Sequence, residues 1–321
     1  MLDVSNARPI GILAGYLTAC AALTAISINS IRRQAAASKH VSRRRNAILV
    51  FSALAVLSLA TTWYHMFCFF QWSYQQWESG QMCLVGDELH LGEWLRDTTL
   101  FKQAWVSTLE QPPRAWWSLQ VFGFCSIWSV MLAAQDKKGR IPHLWIFMLL
   151  GQIVAISFAA NLSFLAFTVF EEATPSVTAS KKVDQNASSK KQPTKGLSWL
   201  RFSWLVVLGI TIGCAIAIPK NLDHPYFMYL LLAPHVLAFV PLLLNKLTED
   251  RDHASVSQQP PLSVRVTIMG VLISAAITNL TKEGGNWEDV KTALYEHPAV
   301  SSVGWDVICC WISFVAWHIL G

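Results

Sequence analysis

The sequence predicts an all-α integral membrane protein, a bundle of about eight transmembrane helices. Of its 321 residues, 53% are hydrophobic and only 14% are charged, with a mean hydropathy of +0.37. A soluble domain carries about 25% charge. The apolar residues are gathered into runs of roughly 20 or more, the length a helix needs to cross about 30 Å of hydrocarbon. Most basic residues fall in the segments between those runs, and the positive-inside rule uses them to set orientation.

Eight runs can be drawn, at 9–29, 46–72, 115–135, 141–170, 199–218, 224–245, 262–281 and 300–320. In lipid only a helix satisfies its own backbone at these lengths. The first run is long for a signal-peptide core and has no small-residue cleavage site before Arg32, so it reads as a retained span. The second carries a dense group of aromatics. The fourth contains Asn161, the sixth holds His235 between Pro234 and Pro241, and the seventh ends near Asn279. The eighth is uncharged except for Asp306.

These runs divide the chain into an N-terminal four-helix half, residues 1–170, and a C-terminal four-helix half, residues 199–321. An interfacial segment, 78–114, belongs to the first half. Residues 171–198 form a Ser-, Thr-, Lys- and Pro-rich linker with no apolar period, which reads as flexible. The loop carrying Arg32, Arg33, Lys39, Arg43, Arg44 and Arg45 is expected on the cytoplasmic side, which makes the N-terminus lumenal. The Asp136–Arg140 loop agrees. The linker, with Lys181, Lys182, Lys190, Lys191 and Lys195, falls on the lumenal side of an eight-span layout, against the rule. The strong first loop is taken to dominate. On that layout the Asn186-Ala187-Ser188 sequon is open to glycosylation.

Composition also narrows the chemistry. The net charge of +5 comes from short loops, so no nucleic-acid partner is expected. None of the seven cysteines makes a C-x-x-C pair, most lie in apolar runs, and only Cys83 sits in a polar loop. No metal site or other cofactor is therefore expected. The chain has no P-loop, GxSxG, HExxH or DDxxD-like cluster.

Between Trp63 and Trp77 stand eight aromatics in fifteen residues: Trp63, Tyr64, Phe67, Phe69, Phe70, Trp72, Tyr74 and Trp77. That exceeds what interfacial anchoring needs, and aromatic faces stabilise cations. Trp63, Phe67, Phe70 and Tyr74 share a helical face. Asp306 is the foremost candidate acid, since a charge inside a span is functional by default. Ser302, Cys310, Ser313 and Trp317 share its face. Glu93 and Asp97 follow, placed on one face with His90 and Phe101, with Arg96 expected to point elsewhere. Glu78, Glu171 and Glu172 are further acids, and Tyr64, His65, Asn161, His235 and Asn279 are weaker polar candidates. A buried carboxyl facing a dry aromatic cavity is suited to proton donation and to shielding a carbocation.

The segments TTWYHMFCFFQWSYQQW, LGEWLRDTTLFKQAW, PPRAWWSLQ and SVGWDVICCWISF resemble the fungal membrane-bound terpene cyclases of the ascofuranone and ascochlorin type. The resemblance implies a metal-independent cyclase of meroterpenoid biosynthesis in the endoplasmic reticulum membrane. Such an enzyme protonates a terminal epoxide or alkene on a lipophilic prenylated, polyketide-derived ring. The pyripyropene-type membrane cyclases, similar in chemistry but shorter, rely on two acids, one early and one in the last span. Asp306 fits the late position; Asp97, Glu93 or Glu78 could fill the early one, with Asp97 favoured. Trp63, Tyr64, Phe67, Phe70, Tyr74, Asn161 and Trp317 are the expected substrate-binding residues. A small-molecule transporter with Asp306 as coupling site is the first alternative; it would call for broken spans in both halves. A haem oxidoreductase using His65, His143, His235 or His318 is the second.

Overall fold

The structure, a computed structural model, describes residues 7–37, 44–81, 90–170, 195–247 and 262–321. All regular structure among them is helical. In chain order the helices are α1 (Ala7–Ala37), α2 (Arg45–Ser79), α3 (Leu91–Asp97), α4 (Leu100–Leu109), α5 (Pro112–Asp136), α6 (Leu144–Ile153) and α7 (Ile156–Phe170). The second half contains α8 (Lys195–Ala217), α9 (Phe227–Leu237), α10 (Val240–Leu247), α11 (Leu262–Lys282), α12 (Trp287–Glu296) and α13 (Pro298–Leu320). A membrane bundle is therefore the architecture. Six helices among the described residues are long and apolar enough to cross a bilayer, and α9 with α10, bent by 48°, make a seventh if counted as one span.

The centre of the bundle is α5. Gln111 caps it with Pro112 in its first turn, where a missing N–H costs nothing. Every residue from Trp117 to Gln135 is buried, so the helix is apolar all round because protein surrounds it all round. Its neighbours are α4, α6, α7, α8, α10, α11, α12 and α13. Outside it, α13 runs antiparallel to α2: Ser302 Oγ donates to Thr62 O at 3.0 Å, while Phe51 meets Trp317 near the other end, ring centroids 5.9 Å apart. The bend between α9 and α10 follows from Pro234 inside α9 and Pro241 at the start of α10.

The run 141–170 departs from the expected single span. It breaks at Val154–Ala155 into α6 and α7, which fold back on one another. Ile146 near the start of α6 and Ala166 near the end of α7 line one small cavity against Ile31 of α1. The turn sits instead beside Tyr16 and Cys20, earlier on α1. The pair is a helical hairpin whose two ends lie at the same level of the bundle. Gly151 lets α6 lie close against α5, since a Cβ there would meet the Trp128 ring at 2.5 Å.

The hairpin also bears on sidedness. Arg44, at the start of α2, donates to Thr168 O at 3.5 Å, so α7 ends at the face where the first basic loop begins. The linker and its sequon at Asn186 lie outside the described residues, as does Cys83. Because the hairpin returns the chain to its face of entry, a cysteine replacing Asn186 should react with an impermeant maleimide from the cytosolic side of sealed microsomes, and the sequon should carry no glycan. Labelling only after the lumenal face is opened would restore the eight-span layout.

Candidate functional site

A break in a helix at membrane depth exposes backbone groups that lipid cannot satisfy. Here side chains satisfy them. The Asp306 carboxylate accepts from the Ser157 N–H at 2.8 Å and from the Ile156 N–H at 3.1 Å. It therefore closes the N-terminus of α7, at the positive end of that helix's dipole. On the other side of the turn, Ile153 O accepts from the Tyr16 hydroxyl and, at 3.9 Å, from the Cys20 thiol. Asn161 holds the next turn, donating to Ser157 O at 2.9 Å and to Ser58 Oγ of α2 at 3.3 Å. Among the described residues Asp306 is the one buried carboxyl.

Gln152 ties this turn to the kinked α9. Its amide nitrogen lies 3.2 Å from Cys125 Sγ, and its Oε1 lies 2.6 Å from His235 Nδ1. The His235 ring packs edge-on against Trp105 and Phe122, at 5.6 and 5.9 Å. The two discontinuous helices are thus joined by one side-chain contact.

A groove of about 720 Å³ runs between α1 and α2, with Trp63 and Phe67 in its wall and Val154 of the hairpin turn at one end. A second groove of about 520 Å³ shares Thr24, Ile28, Arg32, Leu59 and Trp63 with the first and is floored by Phe158 and Leu162 of α7. Both volumes fall in the range of small-molecule sites. The grooves exist because α1 rests on α3 and on the hairpin rather than on α2. Asp306 lines neither one; it binds Ile156 and Ser157, which lie in sequence between the floor residues Val154 and Phe158.

The structure divides the expected site residues. Trp63 and Phe67 reach the groove, and Trp63 Nε1 is buried with no partner among the described residues. Tyr64, 65% exposed, faces outward. Phe70 and Tyr74 instead clasp Trp94 of α3, at 6.2 and 5.9 Å. Trp94 Nε1 donates to Ser73 Oγ at 3.2 Å, so the far end of the aromatic face is used to hold α3 in place. Trp317 stacks on Phe164 at 4.9 Å within the core.

The early acids stand apart from Asp306. Glu93 lies 3.3 Å from His90 at the surface. Asp97 pairs with Arg96 at 2.7 Å and accepts from Trp77 Nε1 at 3.4 Å. Arg96 was expected to point away; its hydrogen bond instead holds the Asp97 carboxyl below the usual carboxylate range. Phe101 belongs to a separate helix, because Thr98 and Thr99 interrupt the segment. Ser302, one turn before Asp306, meets Thr62 of α2, and Asp97 meets Trp77 of the same helix, 15 residues along, or about 22 Å at 1.5 Å per residue. The structure does not bring these two acids together.

Sequence reasoning did not single out Tyr16, Cys20, Gln152 or His297. His297 caps α13 by accepting from the Ala299 N–H at 3.2 Å and packs against Trp72 at 4.3 Å. Burial, aided by Arg114, pulls its imidazole down to about 4. No protein-family model, curated protein or solved structure matches this chain.

The capping role sets an expected outcome. Asn in place of Asp306 offers one carbonyl oxygen where the carboxylate offers two, so one buried N–H is left without an acceptor, costing about 1–3 kcal/mol. Asp306→Asn should therefore lower the thermal midpoint in detergent, and Asp306→Ala, which orphans both N–H groups, should lower it further. Wild-type midpoints in both variants would remove the cap from the account.

Proposed function

We propose that this chain is an integral membrane terpene cyclase. It protonates a terminal epoxide or alkene on a prenylated, polyketide-derived ring and closes the terpenoid ring through a carbocation, in fungal meroterpenoid biosynthesis at the endoplasmic reticulum. The observation that carries the reading is the apolar, ligand-sized groove with Trp63 and Phe67 in its wall, together with the only buried carboxyl of the described residues, which binds Ile156 and Ser157, between the lining residues Val154 and Phe158 in sequence. An open groove in a bilayer gives a lipophilic tail a route in from the membrane, and indole and phenyl faces can shield a cation there. In this reading Asp306 is the proton source. Substrate against Val154 and Phe158 draws the first turn of α7 away and frees one carboxyl oxygen. That oxygen takes up a proton from water and passes it to the epoxide or alkene, and the proton the carbocation loses after ring closure restores the acid. The surface acids Asp97 and Glu93 have no direct part in that step.

One observation favours a second reading, a small-molecule transporter. Discontinuous helices occur in both halves of the chain, and Gln152 and His235 join them. Such paired breaks mark binding sites in transporters.

The test is product formation per folded protein, from a farnesylated phenol bearing a terminal epoxide. Trp63→Leu keeps bulk and loses the π face, so it should divert product to early-quenched or isomeric rings. Trp63→Phe should retain the wild-type ring. Asp306→Glu should recover activity that Asp306→Asn loses, by about 10²–10⁴-fold as for a general acid. If wild-type membranes give no cyclised product but move the substrate between leaflets, the transporter reading replaces this one.

A further inference from the structure

The core where α2, α7 and α13 meet is polar, and most of its hydrogen bonds close within the protein. Ser58 Oγ donates to Leu54 O at 2.7 Å, Thr61 Oγ1 to Leu57 O at 2.9 Å, Thr62 Oγ1 to Ser58 O at 2.6 Å and Ser302 Oγ to Thr62 O at 3.0 Å. These four hydroxyl protons are committed to backbone carbonyls. Two polar atoms are left over. Ser157 Oγ and Asn161 Oδ1 have no hydrogen-bond partner among the described residues, and both residues are fully buried.

The two atoms belong to one place. Residues four apart share a helix face, and Asn161 Nδ2 donates to the backbone oxygen of Ser157 itself at 2.9 Å. The amide head therefore lies over the Ser157 turn. The same bond fixes which way the amide points. Ser157 O can only accept, and Ser58 Oγ has already given its proton to Leu54 O, so the NH2 edge faces them and Oδ1 is turned elsewhere. The Ser157 N–H holds Asp306 at 2.8 Å. The Ser157 hydroxyl stands near that carboxyl, outside hydrogen-bonding geometry with any described atom. After its two N–H bonds the carboxyl keeps spare lone pairs.

An amide oxygen and a hydroxyl buried without partners are costly, and protein interiors meet such groups with ordered water where several polar atoms converge. We propose that an internal water molecule is bound between Asn161 Oδ1 and Ser157 Oγ, beside Asp306. The water donates to the amide oxygen, which only accepts, and shares a second hydrogen bond with the Ser157 hydroxyl, which donates or accepts. The site stands without the cyclase reading. Resting on that reading, it also names the water from which the freed Asp306 oxygen is protonated. The proton reaches this water from solvent as hydronium, passes to the carboxylate and leaves neutral water behind. Ser157 and Asn161 are then positioning residues, acting on Asp306 through the water they hold.

The first measurement needs no variant. A single-particle map of the full chain in nanodiscs, at a resolution that shows ordered water, should carry a peak within about 2.7–3.2 Å of both Asn161 Oδ1 and Ser157 Oγ. A map that shows other buried waters and no peak here overturns the proposal. So does a direct bond from the Ser157 hydroxyl to Asn161 Oδ1 or to Asp306. The second measurement reads energetics. Deleting a hydroxyl that has no partner costs nothing, whereas deleting one that holds a water leaves the water's other contacts unserved. Ser157→Ala should therefore lower the thermal midpoint in detergent by a few degrees; an unchanged or higher midpoint overturns the site. Asn161→Leu removes the same water, so the double variant should lose less than the two single losses added together, and strict additivity would contradict a shared water. Should Asn161→Leu fail to fold, the map and Ser157→Ala still decide. A water at this position in a chain that forms no cyclised product leaves the site standing while the cyclase reading fails. Cyclised product from a chain without the water does the reverse.

Discussion

Two hydrogen bonds from the first N–H groups of α7 to the Asp306 carboxylate hold the structure's least ordinary feature. A helix that stops halfway through a bilayer has no water to complete its backbone, and each unsatisfied group there costs several kcal/mol. The last helix of the chain supplies the acceptor, and the first supplies Tyr16 and Cys20 for the carbonyl on the other side of the turn. The hairpin is therefore closed by residues from both ends of the chain. These bonds tie the turn to α1 and α13.

The grooves follow from the same arrangement. Because α1 is drawn onto the hairpin turn, it stands off from α2, and Leu59, Trp63 and Phe67 are left facing a cavity instead of a helix. Farther along α2 the same aromatic face meets α3, and Trp94 fills the space between Phe70 and Tyr74. One stripe thus does two jobs: its early part walls a ligand-sized space, and its late part holds a short helix. Gln152 extends the network from the turn to the kink in α9, so the two irregular helices are mechanically connected.

Much of this was legible in the sequence. Apolar runs and basic loops gave the helical membrane bundle, and Pro234 with Pro241 marked the bend in the second half. Asp306 was marked by being the lone charge of its span, and Trp63 and Phe67 by aromatic density. The hairpin was hidden because nothing in Gln152-Ile153-Val154-Ala155 breaks a helix by local propensity: there is no proline, and Gly151 precedes the turn. Its cause is tertiary, a carboxylate 150 residues away in sequence. The conflict over the lysine-rich linker was the one signal of it, since a run that returns to its own side puts those lysines where the positive-inside rule wants them. The pairing of Asp97 with Arg96 was missed because adjacent residues on a helix point apart, and at the last turn of a seven-residue helix the two side chains are free to meet.

The central claim is that residues 141–170 fold back on themselves around the Asp306 cap. The most direct measurement is the distance between spin labels at Ile146 and Ala166, on a cysteine-depleted background in lipid. In a continuous helix those positions are 20 residues, or about 30 Å, apart; in the hairpin both border one cavity of about 20 Å³. The account predicts a distance far short of 30 Å in the wild-type chain and a broadened, longer distribution in Asp306→Ala. A single narrow distance near 30 Å in the wild type would contradict it.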